Sequence, residues 1–292
     1  MVLRDSFRGF LTRLQPLYDE REATLIASMV FEKATGHRRL DILTRPDTPV
    51  TPSQEITLEK MLGALIEKRP VQYVLGEAWF YGFPFQVSEA VLIPRPETEE
   101  LVQWIVDDTT HTGGKEAAAP VILDIGTGSG CIAVSLKNKL AAARVLALDV
   151  SVAALGIARK NATRLETPIE WIEADILDPG TVPILPKTDI IVSNPPYIPA
   201  LARYDMQPQV TMYEPSQALF VPDDDPLVFY KAILRTARGC FEATGRVYVE
   251  VHEDFASEVA ALFRDAGGRE VSVRADIHER PRMIRATFNC LR

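Results

Sequence analysis

The sequence predicts an α/β protein: a mostly parallel sheet covered by helices on both faces, with a small helical domain and a β-hairpin ahead of it. Three observations carry that reading. From Pro120 onward, strand-like runs alternate with helical ones, the pattern of a parallel sheet with crossover helices. Before residue 70, apolar residues recur at helical spacing. Between the two parts, residues 78–93 are aromatic and β-branched and are broken by Gly82 and Pro84, which suits a hairpin.

In chain order, residues 19–35 predict a helix with Ile26, Met29, Val30 and Lys33 wound round it and Gly36 at its end. At 51–69, Thr51 followed by Pro52 is a start signal, a hydroxyl cap and then proline at the first helical position. Leu58, Leu62, Leu65 and Ile66 share one face of that helix. After the hairpin, Pro96 with Glu97, Glu99 and Glu100 suits a first helical turn, and Leu101, Trp104 and Ile105 form its apolar stripe. Residues 109–119 are small and polar and read as a linker. Strands are expected at 121–125, 144–149, 169–174, 189–193, 246–251, 270–275 and 283–288. Helices are expected at 131–140, after the cap Ser151, at 229–237 and at 255–265. The boundaries are 1–75 for the helical domain, 76–93 for the hairpin and 94–292 for the α/β domain.

Composition narrows the classes. Hydrophobic residues make up 47% of the 292 and charged residues 25%, as in ordinary soluble proteins. No apolar run reaches the length of a membrane span. The N-terminus has neither a long apolar stretch nor a cleavage site, so a cytoplasmic location is expected. Cys131, Cys240 and Cys290 show no pairing or metal-ligand spacing, and the four histidines are scattered; buried thiols and no metal site are expected. A net charge of −8 argues against nucleic acid as the main partner, since binding phosphates calls for a Lys/Arg surplus.

Two motifs carry chemistry. The first strand runs into Asp124, Gly126, Thr127, Gly128, Ser129 and Gly130. Glycines between a strand and a helix permit positive φ and close approach of a nucleotide-like ligand. The spacing is G-x-G-x-G, unlike the G-x-G-x-x-G of pyrophosphate sites. The second strand ends at Asp149, placed to accept from both ribose hydroxyls, and Asp175 follows the third strand, where it could meet an adenine amino group. The second motif, Asn194-Pro195-Pro196-Tyr197, ends the fourth strand. Two prolines fix φ and remove two donors, so the Asn194 side-chain oxygen and the Pro195 carbonyl can project as paired acceptors. A planar NH2 group has two hydrogens to give them, and Tyr197 offers a flat face for its plane.

DIGTGSG, Asp149 and NPPY together resemble the class I S-adenosylmethionine-dependent methyltransferases that modify exocyclic or amide nitrogen. IPRPETEELV (93–102), YEPSQALF (213–220), VYVEVHEDF (247–255) and the helical N-terminus closely resemble the peptide-chain release factor glutamine N5-methyltransferases, the HemK/PrmC family. The resemblance covers nearly the whole chain. It implies a seven-stranded Rossmann-like sheet whose last strand, MIRATF, is reversed. It implies S-adenosyl-L-methionine as cofactor, held by the glycine loop, Asp149, Asp175, Ile176 and Asn194. It also implies, as substrate, the Gly-Gly-Gln glutamine of class I release factors. On this reading Asn194, Pro195 and Tyr197 are catalytic, Pro196 joins them in binding substrate, residues 1–75 dock it, and the protein works as a monomer. Two stretches depart from the family pattern: His252 stands where glycine is common, and 220–225 (FVPDDD) replaces a glycine-rich stretch. Adenine-N6 methylation of nucleic acid and glutamine methylation of another protein use the same acceptor logic and remain the rival readings.

Overall fold

The computed structural model describes residues 1–112 and 119–289; residues 113–118 of the expected linker, and Cys290, lie outside them. The chain forms two compact units, Met1–Glu77 with Gln207–Tyr213, and Ala78–Met206 with Glu214–Arg292.

The first unit is helical: α1 (Leu3–Leu14), α2 (Glu20–Thr35), α3 (Arg39–Thr44), α4 (Pro52–Ile66) and α5 (Val71–Leu75). The start and stop signals act as expected. Asp19 caps α2, and Gly36 ends it in the left-handed conformation. Thr51 Oγ1 accepts from the Gln54 N–H while Gln54 Oε1 accepts from the Thr51 N–H, a capping box that satisfies two otherwise orphaned donors. Leu58, Leu62 and Leu65 join Leu3, Phe10, Val30 and Phe31 in one core. Ile66 does not; it lies about 100° round the helix from the buried Leu65, off the core-facing stripe, and stays 40% exposed.

The hairpin β1 (Glu77–Phe80) and β2 (Phe83–Gln86) belongs to the second unit from Ala78 onward. Its two-residue turn has φ 51° at Tyr81 and 81° at Gly82; positive φ at both positions gives the twist that matches antiparallel strands. Phe80 and Phe85 are fully buried from it. Then come α6 (Pro96–Thr112), β3 (Val121–Ile125), α7 (Cys131–Lys139), β4 (Arg144–Asp149), α8 (Val152–Arg164), β5 (Glu170–Glu173) and β6 (Thr188–Ser193). A short pair, β7 (Ile198–Pro199) and β8 (Phe220–Val221), flanks α9 (Pro208–Tyr213), which lies in the first unit. The chain finishes with α10 (Val228–Cys240), β9 (Phe241–Glu250), α11 (Ala256–Asp265), β10 (Arg269–Ala275) and β11 (Pro281–Asn289).

The main sheet has seven strands in the order β10-β11-β9-β6-β3-β4-β5. β9, β6, β3, β4 and β5 run parallel, and β11 is antiparallel to both neighbours, so MIRATF is the reversed strand. Side chains alternate between two buried faces. Leu123, Leu146, Ile191 and Val249 pack with α10 and α11. Ile122, Val145, Val192 and Tyr248 pack with α6, α7 and the hairpin phenylalanines. Burial on both faces is why these strands read as nearly continuous apolar runs. β9 begins five residues before the expected start. In that earlier part Thr244 and Gly245 pair with Asn289 and Phe288 of β11, and Gly245 is needed because a Cβ there would meet the Phe241 ring at 2.2 Å. Cys131 and Cys240 are buried free thiols. Among the described residues, no helix is long and apolar enough to cross a membrane.

Losing the α4 capping box should be felt in the helical unit. Thr51→Ala is expected to cost about 1 kcal/mol, seen as a lower urea midpoint with unchanged slope; an unmoved midpoint would show that the cap adds nothing.

Candidate active site

Parallel strands bring their carboxyl ends to one edge, where ligands bind in open α/β sheets. A cavity of about 360 Å³ opens there, a size suited to a small ligand. Gly126, Gly128 and Asp149 line one side, and Asp175 and Ile176 continue it after β5. Asn194, Pro195 and Pro196 line it from the end of β6. Both sequence motifs therefore meet at a single space, contributed entirely by the second unit. Asp124, Thr127, Ser129, Gly130 and Tyr197 lie outside its lining.

The glycine loop divides its work. A Cβ added at Gly126 or Gly128 would meet nothing within 4 Å, and both have positive φ, so bare backbone borders the open space. At Gly130 a Cβ would come within 3.1 Å of the Ala158 Cβ; that glycine lets the start of α7 approach α8. Asp124 is fully buried and accepts from the Thr127 hydroxyl at 2.6 Å. Burial pushes its carboxyl up to about 7, against the opposing pull of Thr127 and the Ala133 N–H. Asn161, also fully buried, donates to the Ser129 carbonyl and to the Gln86 carbonyl, and accepts from the Gln86 N–H. One amide thus fastens the glycine loop to the hairpin.

The donor set fits a nucleoside. Asp149 Oδ2 accepts from the Gly128 N–H at 2.8 Å and Oδ1 from the Ser151 N–H at 2.9 Å. Each carboxylate oxygen keeps further lone-pair capacity, a pair of acceptors matched to a vicinal diol. Burial raises the Asp149 pKa, and hydroxyl donors would favour its charged form. Leu148, Val91, Phe229 and Ile233 make apolar walls, suited to a flat base. These residues fit S-adenosylmethionine. The walls were missed by sequence reasoning: Leu148 adjoins a motif, whereas Val91 comes from the loop after the hairpin and carries no local signal.

A second cluster stands beside Asn194. Its Nδ2 donates to Thr98 Oγ1 at 3.1 Å, and the Thr98 hydroxyl donates to Glu250 Oε2 at 2.6 Å. The Tyr197 hydroxyl donates to Glu250 Oε1 at 3.2 Å, and the Tyr230 hydroxyl to the Glu250 carbonyl at 3.1 Å. Glu250 is 1% exposed, and burial pushes its carboxyl up to about 6. Burial also raises the Tyr197 hydroxyl. Thr98 and Glu250 were not singled out from the sequence, although both lie inside the family-like stretches. The two departures have local roles. Asp223 accepts from the Leu201 N–H, the Phe220 ring takes the Arg203 guanidinium at 4.5 Å, and the His252 ring lies 6.0 Å from that of Tyr197.

Comparison with known proteins agrees with this geometry. Residues 10–76 match the family described as PrmC N-terminal domain, and residues 112–214 match Methyltransferase small domain. A release factor glutamine methyltransferase of Flavobacterium psychrophilum is 38% identical over 288 residues, 99% of this chain and 100% of the relative. The protein of the same name from Bacteroides thetaiotaomicron is 36% identical, over 94% of this chain and 95% of its own. Among solved structures, a methyltransferase from Pyrococcus furiosus shares the fold at a TM-score of 0.50 and 17% identity, covering 71% of this chain and 90% of its own.

Asp149→Ala removes charged acceptors worth roughly 1.5–3 kcal/mol, so S-adenosylmethionine should bind about 10- to 100-fold more weakly. Calorimetry on the folded variant checks this; unchanged affinity would refute the role of Asp149. Gly128→Val, strained by its positive φ and crowding the open space, should weaken binding as well.

Proposed function

The chain belongs to the release factor glutamine methyltransferase family, and we propose that Asn194 and Pro195 are the groups with which it holds the substrate amide. It is an S-adenosylmethionine-dependent enzyme that methylates a release-factor glutamine on its side-chain nitrogen, N5. We assign the target to the Gly-Gly-Gln glutamine of class I release factors. The observation that carries this reading is the cavity shared by Asp149, the glycine loop and Asn194-Pro195, which supports a nucleoside site beside two acceptors for an NH2 group.

S-adenosylmethionine, when bound, supplies a methyl group on positively charged sulfur, already electrophilic. Gly126, Gly128, Asp149, Asp175 and Ile176 would hold it. The protein's remaining task is to align a poor nucleophile, because an amide nitrogen shares its lone pair with the carbonyl. Asn194 Oδ1 and the Pro195 carbonyl take the two N–H groups and fix the nitrogen's orientation. As the nitrogen gains positive charge, its hydrogens become more acidic and both acceptors bind them more tightly than in the ground state. Tighter binding in the transition state is what lowers the barrier. One N–H proton then leaves to water. Tyr197, tied to Glu250, walls the region beside Asn194.

All these groups come from one chain, which supports action as a monomer. The net charge of −8 supports a protein substrate over nucleic acid, and a substrate that works on ribosomes supports a cytoplasmic location. The helical unit is assigned to docking. It carries no chemical constellation, yet α3 exposes Leu40 and Leu43, 68% and 70% accessible, three residues apart on one face.

Mass spectrometry of a class I release factor, after incubation with enzyme and cofactor, should find one methyl group on the Gly-Gly-Gln glutamine; an unmodified loop would overturn the assignment. Asn194→Ala should slow single-turnover methyl transfer by about 10²–10³-fold, with a much smaller effect on cofactor affinity. A near-normal rate would leave NPPY as a structural turn. Replacing Leu40 and Leu43 together by Asp should raise KM for the release factor several-fold at about the same kcat, the mark of lost uniform binding; unchanged steady-state kinetics would rule out docking through α3.

A further inference from the structure

We propose that Glu250, acting through the Thr98 hydroxyl, sets which way round the Asn194 side-chain amide sits and so keeps Oδ1 free to receive the substrate; this rests on the reading of Asn194 as the substrate's acceptor. The two ends of an asparagine amide are nearly equal in shape and opposite in hydrogen-bonding capacity. Turned over, Asn194 would point N–H groups at the N–H groups of the substrate, and the acceptor pair would be lost. Something must therefore choose between the two orientations.

The choice follows from counting hydrogens. The Thr98 hydroxyl has one. A carboxylate accepts only, so at 2.6 Å Thr98 must give that hydrogen to Glu250 Oε2. Toward Asn194 it can then only accept, which draws in Nδ2, found at 3.1 Å, and turns Oδ1 to the opposite side. Tyr197 fills Oε1 of the same carboxylate with another hydroxyl hydrogen, and Tyr230 holds the backbone carbonyl. A glutamine at 250 would avoid the cost of burying a charge, but it has one acceptor oxygen for two hydroxyls that the carboxylate receives on separate oxygens, and it presents N–H groups at the other position. What glutamine lacks is the inability to donate. With an N–H on offer, Thr98 could accept from residue 250 and give its hydrogen to Asn194 instead, reversing the amide.

Protonating Glu250 would have that same effect. The groups facing it are Thr98 and Glu97 from α6, Tyr197 after β6, Tyr230 from α10 and Arg282 from β11. Burial outweighs the help of Arg282 and places its carboxyl at about 6. The ionised form is the working one, so the rate is full above that pH and falls as pH drops through it. Glu250 and Thr98 are positioning residues; neither lines the cavity.

The test is single-turnover methyl transfer to an unmodified class I release factor, both ligands saturating, across a pH series. Glu250→Gln and Thr98→Val should each slow transfer by about 10–100-fold, the range expected for a hydrogen bond to a charged group. S-adenosylmethionine affinity, measured by calorimetry, should stay within about twofold, since neither side chain lines the cavity. Thr98→Ser, which keeps the hydroxyl, should recover most of the rate. Glu250→Gln combined with Thr98→Val should be little slower than the worse single variant, because both cut one route. The low-pH limb near 6 should vanish in Thr98→Val. If Glu250→Gln fails to fold, the Thr98 pair and the pH profiles still decide. Near-normal rates for both single variants alongside a crippled Asn194→Ala would overturn the relay and leave the acceptor role of Asn194 standing. Multiplied losses in the double variant would also overturn it, by showing a separate route. A normal rate for Asn194→Ala would overturn both.

Discussion

Asp124, Asp149 and Glu250 are carboxyl groups drawn out of water along the carboxyl edge of the parallel strands, and for each of them burial is the largest influence on the pKa and raises it. Asp124 and Glu250 hold no direct ion pair among the described residues; hydroxyls serve them instead. Neutral donors compensate a buried charge only in part, so such groups are costly to keep. Each nevertheless fixes a neighbour whose position matters. Asp124 holds Thr127, Asp149 holds the Gly128 and Ser151 N–H groups, and Glu250 holds Thr98 and Tyr197. These carboxylates hold hydroxyls and backbone N–H groups around the cavity in place.

The framework behind them is apolar and well determined. β3, β4, β6 and β9 are buried on both faces, so a register slip would drive their side chains against the wrong helices. That fixes the strand ends relative to one another. Ser193 pairs with Val249, which sets Asn194 and Glu250 side by side at the next step of the ladder. Thr98 reaches them from the first turn of α6, whose Leu101, Trp104 and Ile105 are anchored in the core below.

Much of this was legible in the sequence because it is local. Thr51-Pro52, the Tyr81-Gly82 turn, the alternating strands and the glycine loop announce themselves within a few residues, and NPPY does so at the site. What could not be read depends on partners far apart in the chain. Thr98 and Glu250 are separated by 152 positions, and a threonine in a first helical turn looks like any other polar residue. Gly130 looked like its neighbours Gly126 and Gly128, but its reason is Ala158, which local pattern does not reveal. α9 was missed because six residues are too few to display a period, and its place in the first unit depends on tertiary contacts such as Tyr213 donating to the Glu67 carbonyl. Ile66 reads as part of the apolar face but falls past its edge, next to the fully buried Leu65.

The segment that follows NPPY shows how the acceptors stay fixed while the chain makes an excursion. From Tyr197 it stays in the second unit to Met206, gives Gln207–Tyr213, with α9, to the first unit, and returns at Glu214. Both ends of the detour are tied down near Thr98. At the outgoing end the Tyr197 hydroxyl binds Glu250, which binds Thr98. At the returning end Glu214, its side chain 1% exposed, pairs with Arg95 at 2.5 Å and accepts from the Ile93 N–H. The Thr98 N–H in turn donates to the Arg95 carbonyl, so Glu214 sets the start of α6 and with it the hydroxyl that meets Asn194. Glu214 is the buried member of the pair and Arg95 is half-buried, so removing Arg95 would leave the buried carboxylate with its charge uncompensated. The stretch that supplies α9 is therefore bracketed by ties that converge on Thr98, whose hydroxyl meets Asn194, one through Glu250 ahead of it and one through Arg95 behind it.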